Sequence, residues 1–170
     1  MDAGRAGKAD MAYEWLKALH VLSAFGFFIA HGASAAVGLR LPSERDPGRL
    51  RALLDLSSSA LGPFTWASAL VMLVSGIAMG FLAAWWSAVW IWASIVLFIV
   101  ITFAMTPLGA FRLNAIRTAL GMSVNKKAAV PPVPQGALEA VVARYDPRPA
   151  TWIGGLGLAI IVVLMVVKPF

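Results

Sequence analysis

Between Asp55 and Arg112 the chain carries no charged residue at all. Wound as one α-helix, that stretch would be about 80 Å long, against a bilayer hydrocarbon core of about 30 Å. It must cross, turn and cross back. The natural turn is Trp85-Trp86-Ser87-Ala88-Val89-Trp90, because tryptophan prefers the headgroup level. Two spans follow, over 62–85 and 88–111. A first span over 15–39 ends at Arg40, and a fourth over 151–167 ends at Lys168. All seven tryptophans (Trp15, Trp66, Trp85, Trp86, Trp90, Trp92 and Trp152) fall near a span end. Composition agrees: 60% of residues are hydrophobic and 13% charged, where soluble domains average about 45–50% and about 25%. Lipid has to cover the surplus. The expected fold is all-α: a polytopic membrane four-helix bundle, with an N-terminal tail over 1–12 and a single transmembrane domain over 13–170.

A cleaved signal peptide is the rival reading of the first span, since Ala33-Ser34-Ala35 fits the small-residue cleavage pattern. It is opposed by apolar sequence running on to Leu39 and by Asp2, Asp10 and Glu14 in what would be the positive segment. Four of the fourteen Lys and Arg (Arg5, Lys8, Lys17, Lys168) lie on the side of the termini and the Trp turn. The other ten (Arg40, Arg45, Arg49, Arg51, Arg112, Arg117, Lys126, Lys127, Arg144, Arg148) lie in the two long loops. The positive-inside rule then puts the loops in the cytoplasm and both termini outside, across the inner (plasma) membrane of a cell. The formal net charge of +6 belongs to this orientation signal rather than to a nucleic-acid surface. With no cysteine, disulfides, iron–sulfur clusters and thiolate metal sites are excluded within the chain.

The loops carry their own short helices. Asp46-Pro47 is a helix start, with an acidic N-cap and proline at the first helical position. Leu50, Leu53 and Leu54 share a face beside Arg49 and Arg51, the pattern of an interfacial helix lying on the membrane surface. In the second loop, Pro131-Pro132-Val133-Pro134 is an extended linker, and 136–145 forms a second short helix stopped by Pro147. The basic loops present either a lipid-facing surface or a site for acidic partners. Pro63-Phe64-Thr65-Trp66 matches Pro149-Ala150-Thr151-Trp152, and Gly38-Leu39-Arg40-Leu41 sits beside Ala110-Phe111-Arg112-Leu113. These matches suggest two similar hairpins in a parallel repeat, although common span-end chemistry produces short matches too.

Chemistry has few places to sit. No acidic residue lies within a span, which weakens proton-coupled transport. No phosphate loop, zinc-helix motif or nucleophile elbow is present, so no catalytic residue is assigned. The two histidines, His20 and His31, both fall in the first span. Eleven residues are about three turns, so they share a face about 16 Å apart along the axis. Ala24, Phe27, Ser34, Ala35 and Gly38 lie near that face. Histidine among small residues suits haem b, with imidazole on iron and the porphyrin close to the backbone. His20 is the candidate metal ligand. By depth Met79 is nearest to His20 and Met105 to His31, and a second subunit is the other source of a partner ligand. The rival reading is a scaffold or accessory subunit. Gly26, Ala30, Ser34 and Gly38, four residues apart, make an ordinary helix-packing stripe, serving a homo-oligomer or a larger membrane complex. Copper handling through histidine and soft thioethers is the third. Nucleic acid is not an expected partner; the lipid bilayer is.

The opening of the first span, Trp15-Leu16-Lys17-Ala18-Leu19-His20, resembles that of three small bacterial membrane families. They are a four-span family of predicted integral membrane proteins of unknown function, the copper-resistance D group, and the membrane-bound protoporphyrinogen oxidase. The best likeness is to the four-span family, over about 12–120, carried by Lys17, His20, Ser75-Gly76 and the basic end of the third span. Resemblance to the oxidase implies haem at His20 alone; by its position one turn earlier, Lys17 is the candidate to pair a propionate at the headgroup level. The chain departs from the oxidase at Leu39-Arg40-Leu41-Pro42-Ser43-Glu44, where that family has a proline-arginine-leucine pattern and a further histidine. The copper-resistance group implies copper uptake or tolerance, in its fuller form with more spans and more ligands.

Overall fold

The computed structural model describes residues 3–124 and 128–169. Asp2, which opposes the signal-peptide reading, and the loop lysines Lys126 and Lys127 lie outside the described residues. Seven α-helices are described: α1 (Ala3–Arg40), α2 (Pro47–Asp55), α3 (Gly62–Leu82), α4 (Val89–Met105), α5 (Phe111–Ala119), α6 (Gln135–Ala143) and α7 (Arg148–Val167). Among the described residues, four helical stretches are long and apolar enough to cross a membrane: Asp10–Ser43, Pro47–Leu82, Val89–Ala119 and Gln135–Val167. The chain is an all-α, four-span bundle. Residues 3–12 are helical and form the start of α1.

Hydrocarbon offers no hydrogen bonds, so polar groups in the spans must be satisfied within the protein. Four hydroxyls do this inside their own spans. Thr65 donates to the Leu61 carbonyl at 2.7 Å, Ser75 to Val71 at 2.7 Å, Ser94 to Trp90 at 2.8 Å and Thr102 to Phe98 at 2.8 Å. Large side chains such as Leu22, Ile29, Phe103 and Val166 point outward, where lipid covers them.

Two prolines explain why the second and third spans are longer than expected. Pro63 and Pro107 lack the N–H that an α-helix needs. Each helix absorbs the defect in a wider π turn, over Leu56–Leu61 and Thr106–Ala110, and carries on. Gly62 N–H reaches back to the Ser57 carbonyl, and Phe111 N–H to Thr106. As a result α2 continues into α3, and α4 into α5, beyond the apolar zone. The short helices expected in the loops are present. Leu50 and Leu54, however, face protein rather than the membrane surface. With Leu41, Ile116, Leu120, Leu138, Val142 and Tyr145 they form a small core at the loop end. Asp46 caps α2 as its sequence predicts, accepting from Arg49 N–H at 2.7 Å.

Within the bundle α1 packs chiefly on α3, and α4 on α7. These are the two hairpins of the suggested repeat. The first pair closes where Gly26 meets α3: a Cβ there would stand 2.9 Å from Ser68 Oγ. The second closes at Gly157, where a Cβ would stand 2.2 Å from Ile101 Cδ1. Contacts between the pairs are sparser, and that leaves room between them.

Candidate functional site

The gap between the helix pairs is a cavity of about 530 Å³ at the end of the bundle that carries the tryptophan turn. Its wall is almost wholly apolar, with contributions from α1, α3, α4 and α7. The volume lies in the range of small-molecule pockets, and the exposed residues Phe25 and Val166 in the wall leave the cavity open towards the lipid-facing side.

His20 is the ionisable residue in that wall. Its Nδ1 lies 2.8 Å from the Met72 carbonyl oxygen and 3.3 Å from Ser75 Oγ. A carbonyl only accepts, so Nδ1 is the protonated nitrogen. In the neutral ring Nε2 then carries the lone pair, and it has no hydrogen-bond partner among the described residues. Gly76 permits this docking: a Cβ there would stand 3.0 Å from His20 Cε1 and 3.3 Å from Nδ1. Met72, Met79 and Met165 share the cavity wall with His20.

Trp85, Trp86 and Trp90 close one end of the cavity. Ala84, in the left-handed region at φ 53°, turns the chain sharply enough to fold Trp86 back over Gly80, where a Cβ would stand 3.1 Å from the indole. Trp85 packs edge-on against Trp90 at 5.5 Å and against Tyr13 at 5.9 Å. Lys168 sits over the faces of Trp85 and Trp90, 4.2 and 5.5 Å from the ring centroids. The Trp86 indole nitrogen is a buried donor with no acceptor among the described residues. Sequence reasoning placed the tryptophans at the headgroup level but missed their role as a wall, together with Lys168 and Met165. The only available signal was Lys168 standing at the same membrane depth as the turn.

His31 lies elsewhere. It is stacked on Phe27, centroids 5.4 Å apart and planes within 6°. It meets α7 at Gly154, where a Cβ would stand 3.1 Å from His31 Nε2 and 3.6 Å from Met105 Sδ. Met105 therefore does lie beside His31, as Met79 shares a wall with His20, but the two histidines occupy separate environments. Lys17 is on the exposed surface of α1, 2.6 Å from Glu14 Oε2, and is not part of the cavity wall. The small-residue stripe is used inside the chain. Gly26 meets Ser68 and Phe64, Ala30 is 1% exposed, and a Cβ on Gly38 would stand 2.8 Å from Tyr145 Oη. Ser34 is half-buried on the same line.

Comparison with known families gives a match over residues 14–169 to DUF2269, a family described as predicted integral membrane proteins. The chain belongs to that family. The match covers all four spans and both loops, and so takes in the cavity, His20, His31 and the tryptophan turn. Of the three resemblances drawn from the first span, this is the four-span one. No curated protein and no solved structure matches the chain.

The matched region holds a second, open space of different character, with the exposed residues Arg51, Asp55 and Ser58 in its wall. At the loop end, a cavity of about 510 Å³ lies between α2 with its π turn and α5, with Arg51, Asp55, Ser58, Asn114 and Arg117 in its wall.

Proposed function

We propose that this DUF2269 protein binds haem b in the cavity between its helix pairs, with His20 as axial ligand, and serves a redox role in the membrane. The observation that carries the reading is the His20 imidazole: Nδ1 is tied to the Met72 carbonyl, and Nε2 has no partner in an apolar wall. Metal-ligating histidines almost always donate their other ring N–H to a carbonyl or carboxylate, which fixes the tautomer and raises basicity. The donor set fits haem, which imidazole ligates, and Met79, Met72 or Met165 in the same wall would offer a thioether as a further ligand. Haem b would supply one-electron chemistry there.

The remaining groups have defined tasks in this reading. Met72 holds the imidazole plane, and the tryptophans keep water from the site. Trp86 Nε1, a buried donor without an acceptor, suits a carboxylate oxygen. Lys168 above Trp85 and Trp90 supplies positive charge at the same end, where Lys17 is neutralised by Glu14. With the loop arginines on the cytoplasmic side of a bacterial inner membrane, the site belongs to the outer half of the bilayer. The test is the absorption spectrum of detergent-purified protein made with ample haem supply, before and after reduction. A haem band in the wild type, lost in His20→Ala, is expected. Wild-type protein without haem overturns the reading. One observation favours a second reading in that event. Met72, Met79 and Met165, in one wall with His20, are also soft donors for copper(I), and metal analysis of the same sample decides it.

A further inference from the structure

We infer that the loop-end cavity binds a phosphate ester that carries a free hydroxyl, of the glycerol-phosphate type. The site is separate from the apolar cavity and independent of any cofactor there. Its wall brings two guanidinium groups together, Arg51 from α2 and Arg117 from α5. Neither is paired with a carboxylate: among the described residues the ion pair within 4 Å is Lys17–Glu14, at the other end of the bundle. Arg117 is engaged only in part. Its Nη1 donates to Asn114 Oδ1 at 3.0 Å, its Nη2 reaches the Leu54 carbonyl at 3.5 Å, and its buried Nε has no acceptor among the described residues. Arg51 donates to the Leu120 carbonyl, which ties α2 to the end of α5 and leaves its other N–H groups available. Guanidinium forks of this kind match phosphate oxygens in shape and charge.

The chemistry of the ligand follows from the rest of the wall. Asp55 adds one negative charge, so the side chains named carry a single excess positive charge. That excess attracts a phosphate ester, whether the single charge of a diester or the higher charge of a monoester. A carboxylate accepts and never donates, so Asp55 favours a ligand with a hydroxyl of its own. The π turn over Leu56–Leu61 brings Ser58 into the same wall, its hydroxyl donating to the Leu54 carbonyl at 2.9 Å and its oxygen still able to accept. π turns of this sort recur at functional sites. The cavity sits just beyond the apolar zone, where the headgroup of a phosphatidylglycerol lipid and a soluble glycerol phosphate are equally within reach.

The experiment uses the full chain, purified and delipidated in detergent. It is titrated with sn-glycerol 3-phosphate and with inorganic phosphate, followed by thermal shift. Retention of phosphatidylglycerol against phosphatidylcholine is read by native mass spectrometry. Binding of phosphatidylglycerol alone assigns the lipid source, binding of glycerol 3-phosphate alone the soluble one, and either supports the site. Arg51→Gln and Arg117→Gln should each weaken binding about tenfold or more, and added salt should weaken it further. Asp55→Asn should improve binding of plain phosphate and reduce the preference for the hydroxylated ester. The inference is overturned if neither ligand binds the wild type, or if folded, monodisperse arginine variants bind as the wild type does. If the arginine variants do not fold, Asp55→Asn decides: an unchanged preference overturns the site.

Discussion

Gly76→Ala offers a sharp perturbation of the candidate site, because its two energetic effects nearly cancel while its geometric effect does not. The added Cβ would stand 3.0 Å from His20 Cε1 and 3.3 Å from Nδ1, closer than ordinary van der Waals contact. The imidazole must retreat by a few tenths of an ångström, and its 2.8 Å hydrogen bond to the Met72 carbonyl must stretch or break. A hydrogen bond of this type contributes about 0.5–1.5 kcal/mol net. Alanine regains about 0.5–1 kcal/mol over glycine in a helix interior. Global stability should therefore change by less than about 1 kcal/mol, a shift of only a few degrees in melting temperature. The orientation of His20 should change far more. Nitrogen-15 NMR of selectively labelled histidine reports this directly: the hydrogen-bonded, protonated Nδ1 signature of His20 should be lost or weakened, while that of His31 stays. Any ligand coordinated through Nε2 should be retained less well. An unaltered His20 spectrum in a folded Gly76→Ala protein would refute the argument, since it would mean that the imidazole does not rest on Gly76.

Gly157→Ala tests the second helix pair: with Ile101 Cδ1 and Cγ1 at 2.2 and 2.8 Å from the new Cβ, overpacking should cost about 1–3 kcal/mol. Ile101→Ala in the same chain should recover part of that loss in a double-mutant cycle, and additive effects would place α4 and α7 further apart than described. Glu44 should contribute to acid sensitivity at the loop end: the backbone N–H groups of Asp46 and then Arg45 hold its carboxyl below its ordinary value of 4.5. A lowered folded-state pKa gives stability that is fully present above the unfolded value and is lost as pH falls through the folded one. Glu44→Gln should therefore flatten the melting-temperature profile below about pH 4.5, and an unchanged slope would contradict the turn geometry.

What the sequence shows of this protein, and what it hides, divides along one physical line. Span number and the position of the tryptophan turn are one-dimensional properties. An uncharged stretch too long for one crossing and a cluster of indoles decide them without reference to packing. The prolines are legible only in part. Pro63 and Pro107 mark helix defects, but whether a helix stops or widens depends on what its far side gains. Here Leu50, Leu54, Ile116 and Leu120 reach a shared core only if the helices run on. Charge patterning near Leu50 and Leu54 resembles that of an interfacial helix, because a protein core and a membrane surface both demand one apolar face.

The candidate sites lie on the hidden side of that line. His20 stands out as an intramembrane histidine, yet its decisive partner is a backbone carbonyl, which every residue has and no sequence pattern marks. The cavity exists because α1 prefers α3 and α4 prefers α7, a choice made by Gly26, Gly76 and Gly157 at points of close approach. Gly26 was visible as part of a regular stripe; Gly76 and Gly157 lie on helices whose facing surfaces cannot be assigned before the pairing is known. Arg51 and Arg117 are 66 positions apart in the numbering, and each read alone is a solvated loop charge. Only the continuation of α2–α3 and α4–α5 past the apolar zone carries both into one wall. The same helical extension that builds the loop-end core therefore also builds its basic cavity. Weakening that core, as with Leu54→Ala, should impair anion binding before it disturbs the histidine cavity at the opposite end.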